Sequence, residues 1–181
     1  MSSRSSFLTS FVSSARLVGV VGTGLLAGYD IGLSHSVIPA LVNSSLPGDR
    51  LVAAWNQIFN SAAGFVIPVI VGSTVAFLEA AYRASIRTTQ VKTIFGLTNG
   101  RQLVIAAFAA FATLPYSAIS VTPVIYRLKG ANKDIEESRS KEGIAFVDAA
   151  SVKEDVEAWG KKNAVRAVLF TASFVLGLTA V

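Results

Sequence analysis

The stretch LVGVVGTGLLAGYDIGLSHSVIPALV, from Leu17 to Val42, decides the fold class. A helix needs about 20 mostly apolar residues to cross a hydrocarbon core, and this run is long enough. It carries Asp30 and His35, and His35 is the chain's single histidine. An ionisable ring at bilayer depth is costly unless something shields or uses it.

Working outward, three further apolar runs follow, from about Val52 to Tyr82, Leu103 to Tyr126 and Ala164 to Val181. Hydrophobic residues make up 52% of the chain and the mean hydropathy is +0.56. Charge falls between the apolar runs, which is the membrane pattern. The expected class is all-α, an integral membrane four-helix bundle with a charged connection between helices 3 and 4. Residues 1–16 form a polar N-terminal tail and 17–181 the four-helix transmembrane domain. The Ser-rich tail, with Arg4 and Arg16 and no acid, has a transit-peptide composition. The long patterned run behind it favours a plain tail.

The connections read less sharply. Asn43 to Asp49 has turn composition. Arg83, Arg87, Lys92 and Arg101 make the next connection basic. Arg127 to Lys162 is densely charged, with Ser151 and Glu154 spaced as a capping box. Pro115 and Pro123 predict a bend in the third helix.

Composition also excludes. The net charge is +5, but its basic residues sit at segment ends, beside anionic headgroups. Membrane lipid is therefore the expected partner, and no nucleic acid, since no basic–aromatic stripe exists. The absence of cysteine removes disulfide exchange, thiolate zinc sites and cysteine-held iron–sulfur clusters. One histidine cannot provide paired axial haem ligands, and it is a poor nucleus for any metal site.

Helical arithmetic assigns faces. Gly24, Gly28 and Gly32 recur every four residues, and small residues at this spacing let helices approach closely, within the chain or between copies. His35 projects about 20° from Gly24 at a helical 100° per residue. It is expected to turn into the bundle, with Asp30 pointing elsewhere. Trp55, Asn56, Asn60, Gly64 and Pro68 form a drifting stripe on the second helix. Asn60 there is either interhelical glue or a ligand contact. Glu79 and Arg83, four apart, read as a pair. On the third helix Thr113, Tyr116, Ser117 and Ser120 share a face, and a buried Tyr116 phenol wants a partner. On the fourth, Trp159, Asn163, Arg166, Phe170, Ser173 and Gly177 fall within about 40° of Trp159. Arg166, near the start of that run, either snorkels to headgroups or serves a site.

Taken together, these segments resemble the fungal anthrone oxygenase-like membrane proteins. The likeness rests on Gly-Leu-Ser-His-Ser-Val-Ile-Pro-Ala-Leu ending the first span, and on Trp55, Asn60 and Pro68. It continues through Pro115-Tyr116-Ser117 and Thr122-Pro123-Val124-Ile125-Tyr126-Arg127-Leu128 to Trp159, Asn163 and Arg166. The resemblance implies oxidation of an anthrone-type aromatic polyketide to its anthraquinone. Dioxygen would be the co-substrate, with no metal or organic cofactor. An intracellular membrane such as the endoplasmic reticulum is the expected location. Such chemistry needs a base for the acidic methylene, donors for the anthrolate oxygen and a dry apolar site. His35 is the expected base, since imidazole changes charge near neutrality in ordinary surroundings. Asn163 and Arg166, with Asn60 or Tyr116, would hold the oxygen, and Trp159 and Phe170 would flank the rings. Two other classes stay open. A membrane scaffold would expose its glycine face. A small transporter would join Asp30, His35, Glu79 and Arg166 by a wet path.

Overall fold

The computed structural model describes residues 2–86, 92–140 and 148–180, with side chains described from Ser14 on, Arg139 excepted. Helix α1, Ser2–Gly32, passes through a π-helical turn, Leu33–Val37, into the short α2, Ile38–Val42. Helix α3 is Gly48–Ser85. Helix α4, Asn99–Tyr116, passes through a second π turn, Ser117–Val121, into α5, Thr122–Ser140. Helix α6 is Ala149–Thr179. Among the described residues this makes four long helical runs, an all-α membrane bundle.

Three of them are long and apolar enough to cross a membrane: Ser14–Val42, Gly48–Ser85 and Asn99–Ser138. The fourth expected span does not meet that measure. Helix α6 is charged from Lys153 to Lys162, and Arg166 interrupts the apolar run that follows. Its outward face is nevertheless apolar, with Val168 exposed as Leu25, Phe108 and Ile119 are on other helices. Such side chains suit lipid.

The prolines explain both π turns. Proline lacks an N–H, and its ring crowds the carbonyl four residues before it. For Pro39 that carbonyl belongs to His35, and for Pro123 to Ile119. Each lies inside a turn widened from the α to the π spacing, with the closing N–H of Ile38 reaching the Leu33 carbonyl and that of Thr122 reaching Ser117. The expected irregularity of the third helix is thus a widened turn. Pro68 leaves α3 continuous.

The charged connection is largely helix. α5 runs on to Ser140 and α6 begins at Ala149, while 141–147, like Arg87 in the basic connection, lies outside the described residues. The α6 cap is not Ser151. The Asp148 carboxylate accepts the Ala150 N–H at 3.0 Å, three residues ahead of the cap that the capping box placed at Ser151. The helical backbone of α1 extends through the polar N-terminal segment from Ser2.

The chain packs as two units. The first comprises Met1–Gly28, Val66–Thr113 and Ala167–Val181. Its core holds Val20, Phe77, Ala80, Leu103, Ala106 and Ala107. Gln102, fully buried, donates to the Leu176 carbonyl and the Thr179 hydroxyl at 2.8 Å, and Ser173 donates to the Ala106 carbonyl at 2.7 Å. In lipid, where apolar contact alone discriminates little, such bonds join helices. The second unit comprises Tyr29–Phe65 and Leu114–Arg166. Its core gathers Leu33, Ile38, Leu51, Trp55, Val121, Val124, Leu128, Val156 and Trp159.

Phe77 shows how tightly the first unit is built. A Cβ at Gly177 would sit 2.4 Å from its ring, and one at Gly19 2.7 Å. Gly28 is the opposite case, with nothing within 4 Å. Gly177→Val is expected to overpack this contact at about 1–3 kcal/mol. It should lower the unfolding midpoint of the detergent-solubilised protein, while Gly28→Ala should not.

Candidate functional site

Helix α1 buries Val20, Thr23, Ala27 and Asp30, and the π turn after it Leu33, a stripe recurring every three or four residues. Asp30 therefore lies on the inner face, 1% exposed. The glycines sit on another face. Gly24 packs against the Phe174 ring, but Gly28 and Gly32 meet nothing within 4 Å. His35, like Gly28, is exposed. This corrects the expected geometry: the helix turns Asp30 inward, and His35 does not face the interior. In a lipid-facing helix, small residues mark a smooth surface as readily as an inner one, and the π turn shifts the phase of everything after Gly32.

Asp30 is met by α6. Arg166 Nε lies 3.4 Å from Asp30 Oδ2, with the two side chains 12% and 1% exposed. Arg166 Nη1 donates to Asn163 Oδ1 at 2.9 Å, and Asn163 Nδ2 donates to the Trp159 carbonyl at 2.9 Å. The last bond closes within one helical turn, so it fixes the amide's orientation and points its oxygen at the guanidinium. Trp159, Asn163 and Arg166 thus act as a unit, as their spacing predicted. Arg166 does not snorkel; it turns to a buried carboxylate. Both Asp30 oxygens are without a hydrogen bond among the described residues. A buried carboxylate normally accepts several, so this one keeps lone pairs available beside a cation.

The same unit holds several paired aromatic rings. Trp159 meets Trp55 edge-on at 5.8 Å between centroids, and Trp55 stacks on Phe59 at 5.3 Å. Tyr29, next to Asp30 in the chain, meets Phe65 edge-on at 5.5 Å. The Trp55 indole N–H is buried and donates to nothing among the described residues.

Asn60 is exposed, its amide donating to Asn56 at 3.3 Å, so the stripe is satisfied within α3. Tyr116 is half-buried against the second unit's core. Phe170 is fully buried in the first unit. Glu79 and Arg83 pair at 2.5 Å, as their spacing suggested. His35 lines a groove of about 350 Å³ with Ser34, Pro39, Val42, Gly160 and Lys161. Asp30 is the residue that face arithmetic missed. The signal was present: a lone carboxylate inside an apolar run is a functional candidate by default, and the only comparable cation is Arg166.

The family described as Anthrone oxygenase matches residues 55–176, from Trp55 through Trp159, Asn163, Arg166 and Phe170. The chain belongs to that family. Asp30 and His35 precede the matched segment. No curated protein matches the chain, and no solved structure matches it.

The pair makes a stability prediction. Removing one member of a buried pair strands the other, at about 3–5 kcal/mol. Arg166→Met should destabilise by that order, and Asp30→Asn added to it should restore most of the loss. A double-mutant cycle on detergent unfolding midpoints reads the coupling.

Proposed function

We propose that this member of the anthrone oxygenase family oxidises an anthrone-type aromatic polyketide to its anthraquinone in an intracellular membrane such as the endoplasmic reticulum. Dioxygen serves as co-substrate, and the reading assigns no metal or organic cofactor. The observation that carries it is the buried Asp30–Arg166–Asn163 cluster, in the same unit as the Tyr29, Trp55 and Trp159 rings. It brings together a proton acceptor, a planar cation and flat apolar surfaces.

The chemistry divides among these residues. The anthrone methylene lies opposite the ring carbonyl, so loss of one proton spreads charge onto the carbonyl oxygen. Asp30, with oxygens that accept no hydrogen bond among the described residues, takes that proton in place of His35. The Arg166 guanidinium, aimed by Asn163, stands beside the oxygen that gains charge, where fixed donors in a dry site act most strongly. The electron-rich anthrolate passes one electron to dioxygen. Recombination forms a carbon–oxygen bond at the former methylene. Loss of water from the resulting hydroperoxide leaves the second carbonyl. One oxygen atom ends in the quinone and the other in water.

Oxygen uptake with a reduced anthrone tests the reading. Membranes containing the chain should exceed the spontaneous rate of membranes lacking it; no excess removes the reaction for this substrate class. Asp30→Asn should lower kcat by about 10²–10⁴-fold, the usual contribution of a general base. Arg166→Lys should also lose rate, since Lys keeps charge but not the planar fork; full activity would reduce Arg166 to a charge.

A second reading, a non-catalytic membrane assembly protein, is favoured by one observation. A Cβ at Gly28 or Gly32 would meet nothing within 4 Å, which leaves room for another helix beside these small residues. Cross-linking in membranes, with Gly28→Leu as the variant, separates a second copy on this face from a monomer. Dimers lost in that variant alongside wild-type oxygen uptake would make the face an oligomer contact of an enzyme.

A further inference from the structure

The groove at His35 has no part in the buried cluster, yet it runs along the same helix pair. Its walls are Ser34, His35, Ile38, Pro39 and Val42 on one side and Glu157, Gly160, Lys161 and Ala164 on the other, with a volume of about 350 Å³. Asp30 lies one helical turn before Ser34, and Asn163 directly precedes Ala164. The seam that buries the Asp30–Arg166 pair therefore opens here.

Two local features shape the groove. Pro39 widens the Leu33–Val37 turn and has no N–H to return to the carbonyls before it. Gly160 lets the two walls meet at the groove's edge: a Cβ there would stand 2.7 Å from Ile38 Cγ2. The Ser34 hydroxyl donates to the Gly160 carbonyl at 3.1 Å and fixes the separation of the walls. Apolar Ile38, Pro39, Val42 and Ala164 line the groove, with polar groups among them. His35 is exposed and makes no hydrogen bond among the described residues, while Lys161 pairs with Glu157 at 2.7 Å at the surface. An exposed pair of this kind holds weakly and yields to a better partner. The groove also lies where α6 changes from charged to apolar, between Lys162 and Ala164, the level expected of a membrane–water boundary.

We propose that this groove is the docking site for a flat phenolic polycycle arriving from the membrane interface, with His35 and Lys161 holding its acidic hydroxyl and Pro39 and Val42 its ring face. The volume lies at the small end of ligand pockets, a size suited to fused rings. An uncharged hydrocarbon would leave His35 and Lys161 without use, whereas a phenol or phenolate serves both. The identification of this ligand as substrate rests on the anthrone reading above. His35 is thereby a binding residue and not the base.

Alizarin, a dihydroxyanthraquinone, is the probe, titrated by its visible absorption into the full chain in nanodiscs against empty nanodiscs. His35→Ala should weaken binding about fivefold to tenfold, the effect of one good hydrogen bond, without moving the unfolding midpoint. Val42→Trp, which fills the groove, should weaken it further. In oxygen uptake, His35→Ala should raise KM by a similar factor and leave kcat within about twofold. Alizarin bound by both variants with wild-type affinity overturns the groove, whatever the oxygen assay reads. A fall in kcat of His35→Ala without change in KM also overturns it, and returns His35 to the chemistry. Groove-dependent alizarin binding with no anthrone-dependent oxygen uptake overturns the reaction and leaves the docking site standing.

Discussion

A carboxylate and a guanidinium buried together govern the second unit. Asp30 cannot sit 1% exposed on an apolar helix unless something offsets its charge, and Arg166 lies 3.4 Å away to do so. That requirement sets which face of α1 turns inward, which residues of α6 meet it, and why Asn163 is spent on orienting a neighbour. The pair is an expensive way to join two helices, since apolar residues of similar volume often stabilise as well or better.

Proline supplies the second constraint. Pro39 and Pro123 each stand two residues beyond a π turn, following Ser36-Val37-Ile38 and Ser120-Val121-Thr122. In both places the ring crowds a carbonyl, the turn widens, and the side chains beyond it rotate relative to those before. His35 lies within the first of these turns, and Asp30, which looks inward, one helical turn before it. The two ionisable groups of one helical run thus go to a buried cluster and to a surface groove.

Much of the fold was legible. Apolar runs marked the helices, and the spacing of Trp159, Asn163 and Arg166 put the three on one face, where hydrogen bonds join them. The inner face of α1 was not legible from its glycines. In water an apolar stripe separates core from solvent; in lipid both sides are apolar, so periodicity loses that meaning and Gly28 can lie open. Asp30 was visible as a residue and misjudged as a direction. Asn60 was read as a possible ligand contact, yet its amide finds a partner four residues back, a local solution that one helix can supply unaided.

The sequence by itself determined the helices, their apolar lengths, and the alignment of residues along any one of them. Those properties depend on spacing within a few turns and on the cost of unpaired backbone in lipid. Only the tertiary structure decided that Asp30 meets Arg166 and that His35 stays outside. Those outcomes depend on which helices pair and at what rotation. Rotation in a membrane bundle is set by polar partners distant in the chain, which the period of a single helix does not encode.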